Sequence, residues 1–221
     1  MATKQNRKDK IDIKKDIGGS NLKLYIIRHG QTKWNVERRL QGWNNSDLTQ
    51  QGIENAKKLA HRLKDIDFDY IYSSTQQRAF HTAEIIRGNR NMEIIQLEGL
   101  REMGFGSWEG MKIDDINLKY NNEYDIYLNT PHLYEPINGE SFKELFTRAE
   151  NSLKYILSKK ADNILIVSHG VTIKALIAII KGIPLEELYK LPVHPGTALN
   201  ICEVEGQDIR FILEGDTSHM E

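Results

Sequence analysis

From residue 22 onward, short runs of apolar, β-prone residues alternate with longer stretches in which apolar residues recur every three or four positions. The runs "LKLYII" (22–27), "YIYSS" (70–74), "MEIIQL" (92–97) and "NILIVS" (163–168) read as buried strands. Between the first two, 48–66 reads as a helix. It places Ile53, Ala56, Leu59, Ala60 and Leu63 on one face, behind Thr49 as N-cap. Helices are also predicted over 76–87, 140–160 and 171–181, with a short one near 185–190. The polar stretch 111–136, with Pro131 and Pro136, predicts short helical pieces and loops. Residues 197–205 and 208–215 predict a closing hairpin or two late strands. Alternation of this kind predicts an α/β fold: three layers, α/β/α, with a mostly parallel central sheet flanked by helices.

Residues 1–20 break the pattern. They are polar, rich in Lys and end at "IGGS", which predicts a solvated flexible tail on a single domain over 21–221. Within that domain, 111–140 is expected to form a cap beside the site. The 221 residues are 39% hydrophobic, enough for one core. Lys and Arg number 30 against 31 Asp and Glu, for a net charge of −1. That balance argues against nucleic acid and membrane surfaces as partners, since both reward a basic excess. No run approaches the roughly 18 apolar residues of a membrane span, and the tail lacks the apolar centre of a secretory signal. Cys202 is the single cysteine, so no intrachain disulfide can form, and a reducing, cytoplasmic setting is expected. The sequence carries no signal for an oligomeric state.

Two apolar runs end alike. "YIIRHGQT" (25–32) and "LIVSHGVT" (165–172) each deliver a histidine and then a glycine. In an open sheet, ligands bind beyond the carboxyl ends of the strands, where His29 and His169 both fall. The second His-Gly opens a helix, whose free N–H groups favour an anion. A glycine after each histidine is expected to let a ligand approach the backbone. If the anion is a phosphoryl group, the parts can be assigned. His29 attacks phosphorus with one ring nitrogen while the other holds its proton against a backbone acceptor. Arg28 offers a planar fork to two oxygens. His169, if cationic, stabilises the charge of the transition state. A second guanidinium is expected from Arg78, just after "YIYSS", and a general acid from Glu102 in "LREMGFGSWEG" (100–110), where Glu98 and Glu109 compete for the role.

Together, "RHGQTKWN" (28–35), "LQGWNNSDLTQQG" (40–52), "SSTQQRAFHTAE" (73–84), "LREMGFGSWEG" (100–110) and "SHG" (168–170) resemble the histidine phosphatase superfamily, the phosphoglycerate mutase-like fold. The segments occur in that family's order and the likeness spans 22–213. The resemblance implies that His29 becomes phosphorylated, that Glu102 donates the proton, and that Arg28, Arg78, His169 and Gly170 complete the phosphate pocket. Asn35 matches a phosphate-contacting position, and Gln41, with Gly42 beside it, a polar position near the substrate phosphate. It implies no cofactor and no metal.

Other residues invite blander readings. His61 and His81 fall within helices, His219 in a frayed C-terminus, and His132 and His194 in proline-flanked loops. Trp34, Trp43 and Trp108 are expected to pack the loops, Glu109 to serve its own loop, and Cys202 to lie in a strand. "DIDFD" (65–69) lacks the turn glycine of a Ca²⁺ loop and reads as a helix-to-strand turn. The expected function is a phosphomonoester hydrolase for small phosphorylated metabolites, with motifs most like broad-specificity bacterial phosphatases and α-ribazole phosphatases. A mutase or a sugar-bisphosphate phosphatase is the alternative. Against these stand the few cations in 111–140, Lys112 and Lys119, and the short chain beyond the last strand. A non-catalytic phospho-ligand-binding module is the distant third.

Overall fold

Alternation along each apolar strand decides which layer it feeds. The computed structural model describes residues 22–206 and 208–221; the tail expected at 1–20 lies outside the described residues. In chain order the elements are β1 (Leu22–Arg28), α1 (Lys33–Val36), α2 (Gln50–Arg62), β2 (Tyr70–Ser74), α3 (Gln77–Arg87) and β3 (Ile94–Leu97). Then follow α4 (Ile113–Lys119), α5 (Asn121–Asn129), α6 (Phe142–Leu157), β4 (Asn163–Ser168), α7 (Gly170–Lys181), β5 (Leu199–Glu205) and β6 (Asp208–Asp216). Leu24, Ile26, Ile164 and Ile166 join one core with α6 and α7. Tyr25, Ile27, Leu165 and Val167 join the other with α2 and α3. Neighbours along a strand thus go to opposite faces, as a two-residue period demands, and the three-layer α/β architecture follows.

The six strands lie in the order β3-β2-β4-β1-β5-β6. β3, β2, β4 and β1 run parallel, and β5 and β6 close one side as an antiparallel pair. β1 and β4 sit side by side, with Arg28 opposite Ser168 at their last paired position. The next residue of each chain is a histidine. Two segments 140 residues apart therefore reach the same rim of the sheet.

Thr49 caps α2 by accepting from Gly52 N, and Ser141 and Glu144 form a capping box on α6. The strand expected from 92 starts instead at Ile94, because Met92 N closes a turn on Arg90 O. The C-terminus also differs from expectation. It is pinned rather than frayed: Arg62 pairs with Asp216, Lys58 Nζ donates to Met220 O at 2.7 Å, and His219 Nε2 lies 3.2 Å from Thr197 Oγ1.

Candidate active site

His29 is 2% exposed and leaves β1 held by its own backbone, His29 N donating to Ser168 O at 2.9 Å. Its Nδ1 donates to the carbonyl of Gly30 at 2.7 Å, which leaves Nε2 with a free lone pair. The His169 ring stands beside it, centroid to centroid 5.1 Å. Arg78, in the first turn of α3, is 1% exposed; it gives Nη1 to Asn44 O and Nη2 to Gly42 O. Arg28 gives Nη1 to His194 O at 2.7 Å. Yet Arg28 Nε, Arg78 Nε and both ring nitrogens of His169 are buried without a hydrogen-bond partner. Buried donors left unpaired are costly, typically ~1–3 kcal/mol each. A tetrahedral anion at His29 would offer them oxygens.

Burial, then the Arg78 and Arg28 guanidiniums, pulls the His29 imidazole well below the usual histidine range. Burial, then Arg78 and the His29 ring, does the same to His169. Both shifts favour the neutral ring over the cation, which runs against the expectation of a cationic His169. His194 and His219 are also lowered, chiefly by burial. As pH drops below about 6.5, the unfolded chain takes up protons that the folded chain refuses, and stability falls. The melting temperature is therefore expected to decline between about pH 6.5 and 5, with excess orthophosphate restoring part of the loss. A melting temperature indifferent to pH and phosphate over that window would contradict this picture.

Glu102 is 8% exposed and caps α7, whose own N-cap residue, His169, makes no side-chain cap bond. Its carboxylate accepts from Met103 N, Val171 N, Thr172 N and Thr172 Oγ1. Residues that sequence reasoning passed over hold it in place. Gln76 takes Glu102 N on Oε1 and gives Nε2 to Gly42 O, tying the acid's loop to the Arg78 side. Arg148 of α6 donates to Gly99 O, Arg101 O and Glu102 O, and its guanidinium is locked on Glu140. Glu109 does serve the loops: it accepts from Trp43 N, Asn44 N and Phe105 N. Gly42 takes φ 51°, and a Cβ there would meet Glu109 Oε1 at 2.2 Å, so any side chain would strain this turn and push the Glu109 carboxylate aside.

These groups border a cavity of about 300 Å³. Arg28, His29, Asn35, Gln41, Gly42, Arg78, Glu102 and Gly170 all line it, and His169 is set just behind. Asn35 commits Oδ1 to Thr32, which leaves its Nδ2 for the cavity. Gln41 is 7% exposed, with Oε1 unpaired. Gly30 departs from expectation. A Cβ there would lie 2.8 Å from Gly52 O, so this glycine admits the first turn of α2 rather than a ligand. The far wall comes partly from Ile113, Tyr124, Tyr127 and Leu128 of the 111–140 segment. Its cations do not: Arg38, Arg39 and Lys174 supply them. Each sits in a stretch whose pattern reads as ordinary loop or amphipathic helix, and no local signal marks it.

The blander readings fare as follows. Trp108 is 2% exposed, amid Tyr120, Tyr124, Tyr127 and Tyr134. Trp43 is half exposed and donates Nε1 to Glu102 O. Cys202 is buried in β5. Asp69, in "DIDFD", accepts from Asp162 N and Asn163 N as a turn residue. Among the described residues, no three of His, Cys, Asp and Glu gather as they would around a metal ion, and no helix is long and apolar enough to cross a membrane.

The solved structure "Bacillus stearothermophilus YhfR" superposes with a TM-score of 0.85 at 43% identity, covering 90% of this chain and all of that one. The adenosylcobalamin/alpha-ribazole phosphatase of Escherichia coli K12 is 32% identical over 79% of this chain and 87% of its own length. "Probable phosphoglycerate mutase GpmB" of Escherichia coli O1:K1 is 35% identical over 90% of this chain and 95% of its own. The model of the histidine phosphatase superfamily (branch 1) matches residues 24–217, nearly the whole described chain, and this protein belongs to that superfamily.

Proposed function

We propose that the protein is a phosphomonoester hydrolase that works through a phosphohistidine and without a metal, on small phosphorylated metabolites in the cytoplasm. The observation that carries the reading is the ring of buried, unpartnered donors, Arg28 Nε, Arg78 Nε and His169, around the free Nε2 of His29. Nε2 attacks phosphorus, and the P–O bond to the leaving group breaks as the P–N bond forms. The guanidiniums and His169 hold the three equatorial oxygens, where charge gathers. Glu102 hands its proton to the departing oxygen. Water then attacks phosphorus while Glu102 takes a proton from it, the P–N bond breaks with its electron pair returning to Nε2, and orthophosphate leaves. Gly30 O keeps the Nδ1 proton in place throughout, so His29 presents the same nitrogen in every turnover.

We assign Asn35 Nδ2, Gln41 and the Gly42 and Gly170 backbones to substrate binding, and 111–140 to a cap on the leaving-group side of a single domain. Names among the relatives support hydrolysis, but they include a mutase, and Arg38, Arg39 and Lys174 bring to the wall cations of the kind a mutase substrate would use. Turnover of p-nitrophenyl phosphate in excess EDTA separates the readings. Sustained phosphate release supports the hydrolase. Release that is feeble while a bisphosphate-primed isomerase activity is strong would replace it with the mutase.

A further inference from the structure

Gln76 is the N-cap residue of α3, yet its side chain makes no cap bond there. Asn45, from another loop, does that work: its Oδ1 accepts from Arg78 N at 3.2 Å. The Gln76 amide is instead buried, 6% exposed, and commits both ends to distant backbone. Oε1 accepts from Glu102 N at 2.6 Å, and Nε2 donates to Gly42 O at 2.6 Å. Gly42 O is a shared acceptor, because Arg78 Nη2 also donates to it, at 2.9 Å. One planar amide therefore runs from the backbone of the acid to the carbonyl that aims a guanidinium. Gln76 is not among the residues that line the cavity. Trp43 Nε1 crosses the same gap to Glu102 O at 3.1 Å, but Trp43 is half exposed. The job suits an amide, which sets a donor and an acceptor side by side. A carboxylate offers two acceptors, and a thioether of similar length offers no donor.

We infer that Gln76 is a positioning residue for the transfer step. Its amide fixes the spacing between the Glu102 carboxyl and the Arg78 guanidinium, so that proton donation to the leaving oxygen stays in register with the clamp on the equatorial oxygens. The inference rests on the hydrolase reading above. Such spacing matters steeply, since a misplacement of about 1 Å can cost roughly 100-fold in rate. A Gln76 that only satisfied two buried backbone groups would add stability and treat all esters alike. A Gln76 that positions the acid acts unequally, because a displaced acid counts only where the leaving group needs its proton.

The test measures kcat/KM for glycerol 2-phosphate and p-nitrophenyl phosphate, and the inhibition constant of orthophosphate, in wild type, Gln76→Met and Gln76→Glu. Gln76→Met keeps the length of the side chain and loses both bonds. Its alkyl-to-aryl ratio is expected to fall at least about 10-fold, and its orthophosphate constant to rise about 3- to 10-fold. Gln76→Glu keeps an acceptor for Glu102 N but sets a second oxygen against Gly42 O. It is expected to recover most of the ratio while orthophosphate still binds weakly. The ratio does not depend on how much of a preparation is folded. A ratio unchanged in Gln76→Met, a ratio equally low in both variants, or an orthophosphate constant that moves in neither overturns the inference and leaves the hydrolase reading standing. So does inactivity of both variants on p-nitrophenyl phosphate, because Gln76 would then be needed for the fold itself. A wild type that cleaves p-nitrophenyl phosphate but not glycerol 2-phosphate also overturns it, since no proton delivery would be there to position. A wild type that cleaves neither ester sinks both readings together.

Discussion

His29→Ala is expected to lower phosphate release from any monoester by at least about 10⁴-fold, with KM for the residual activity little changed. The reason lies in how little the ring has to do before it reacts. Its Nδ1 is already committed to Gly30 O, and burial with two guanidiniums nearby keeps Nε2 free of a proton well below neutral pH. The neighbouring imidazole, His169, stands at the N-cap position of α7 and does not line the cavity. Brief incubation of wild type with ³²P-labelled substrate should leave an acid-labile, base-stable label on the protein, and His29→Ala should carry none. Equal labelling in both proteins, or wild-type turnover in the variant, would move the nucleophile elsewhere.

Glu102→Gln should show a loss that depends on the leaving group. Gln keeps the size and can still accept from Val171 N and Thr172 N, so the start of α7 should hold. It cannot give up a proton. An alkoxide leaving group needs that proton, and the loss in kcat should reach about 10²–10⁴-fold on an alkyl phosphate. A nitrophenolate leaves readily without it, and the loss on p-nitrophenyl phosphate should be about tenfold or less. A parallel drop on both esters would instead mark Glu102 as a structural cap of α7 and return the acid's role to another group.

Much of this was legible in the chain, for physical reasons that differ by residue. β1 and β4 were readable because strands buried on both faces are continuous apolar runs, and each announces its end with a polar His-Gly. Thr49 was readable because a cap is local chemistry. Register was not. That Arg28 lies opposite Ser168, and so His29 beside His169, depends on which strands become neighbours, and apolar runs do not encode that. Arg148 escaped notice for a related reason. It is one polar residue in an amphipathic helix, and its purpose exists only after α6 docks against the Glu102 loop. Lys174 sits in "VTIKALIAII", where it reads as the polar break in an apolar helix. In sequence, 111–140 is the segment that lies between the motifs. In space the wall draws its cations from the loop after α1 and from α7.

The place of β4 in the sheet has a consequence for biosynthesis. β1 and β2 are made early, but the order β2-β4-β1 leaves a slot between them that is filled only when residues 163–168 appear. At ordinary translation speeds the ribosome needs roughly 5–20 s to get from the end of β2 to the start of β4. Through that interval the nascent chain holds two apolar strand edges facing an absent neighbour. Such a gap invites a chaperone, or the same gap on another growing polypeptide. Catalytic activity should therefore arise in one step, when the last central strand is inserted and brings the second imidazole with it.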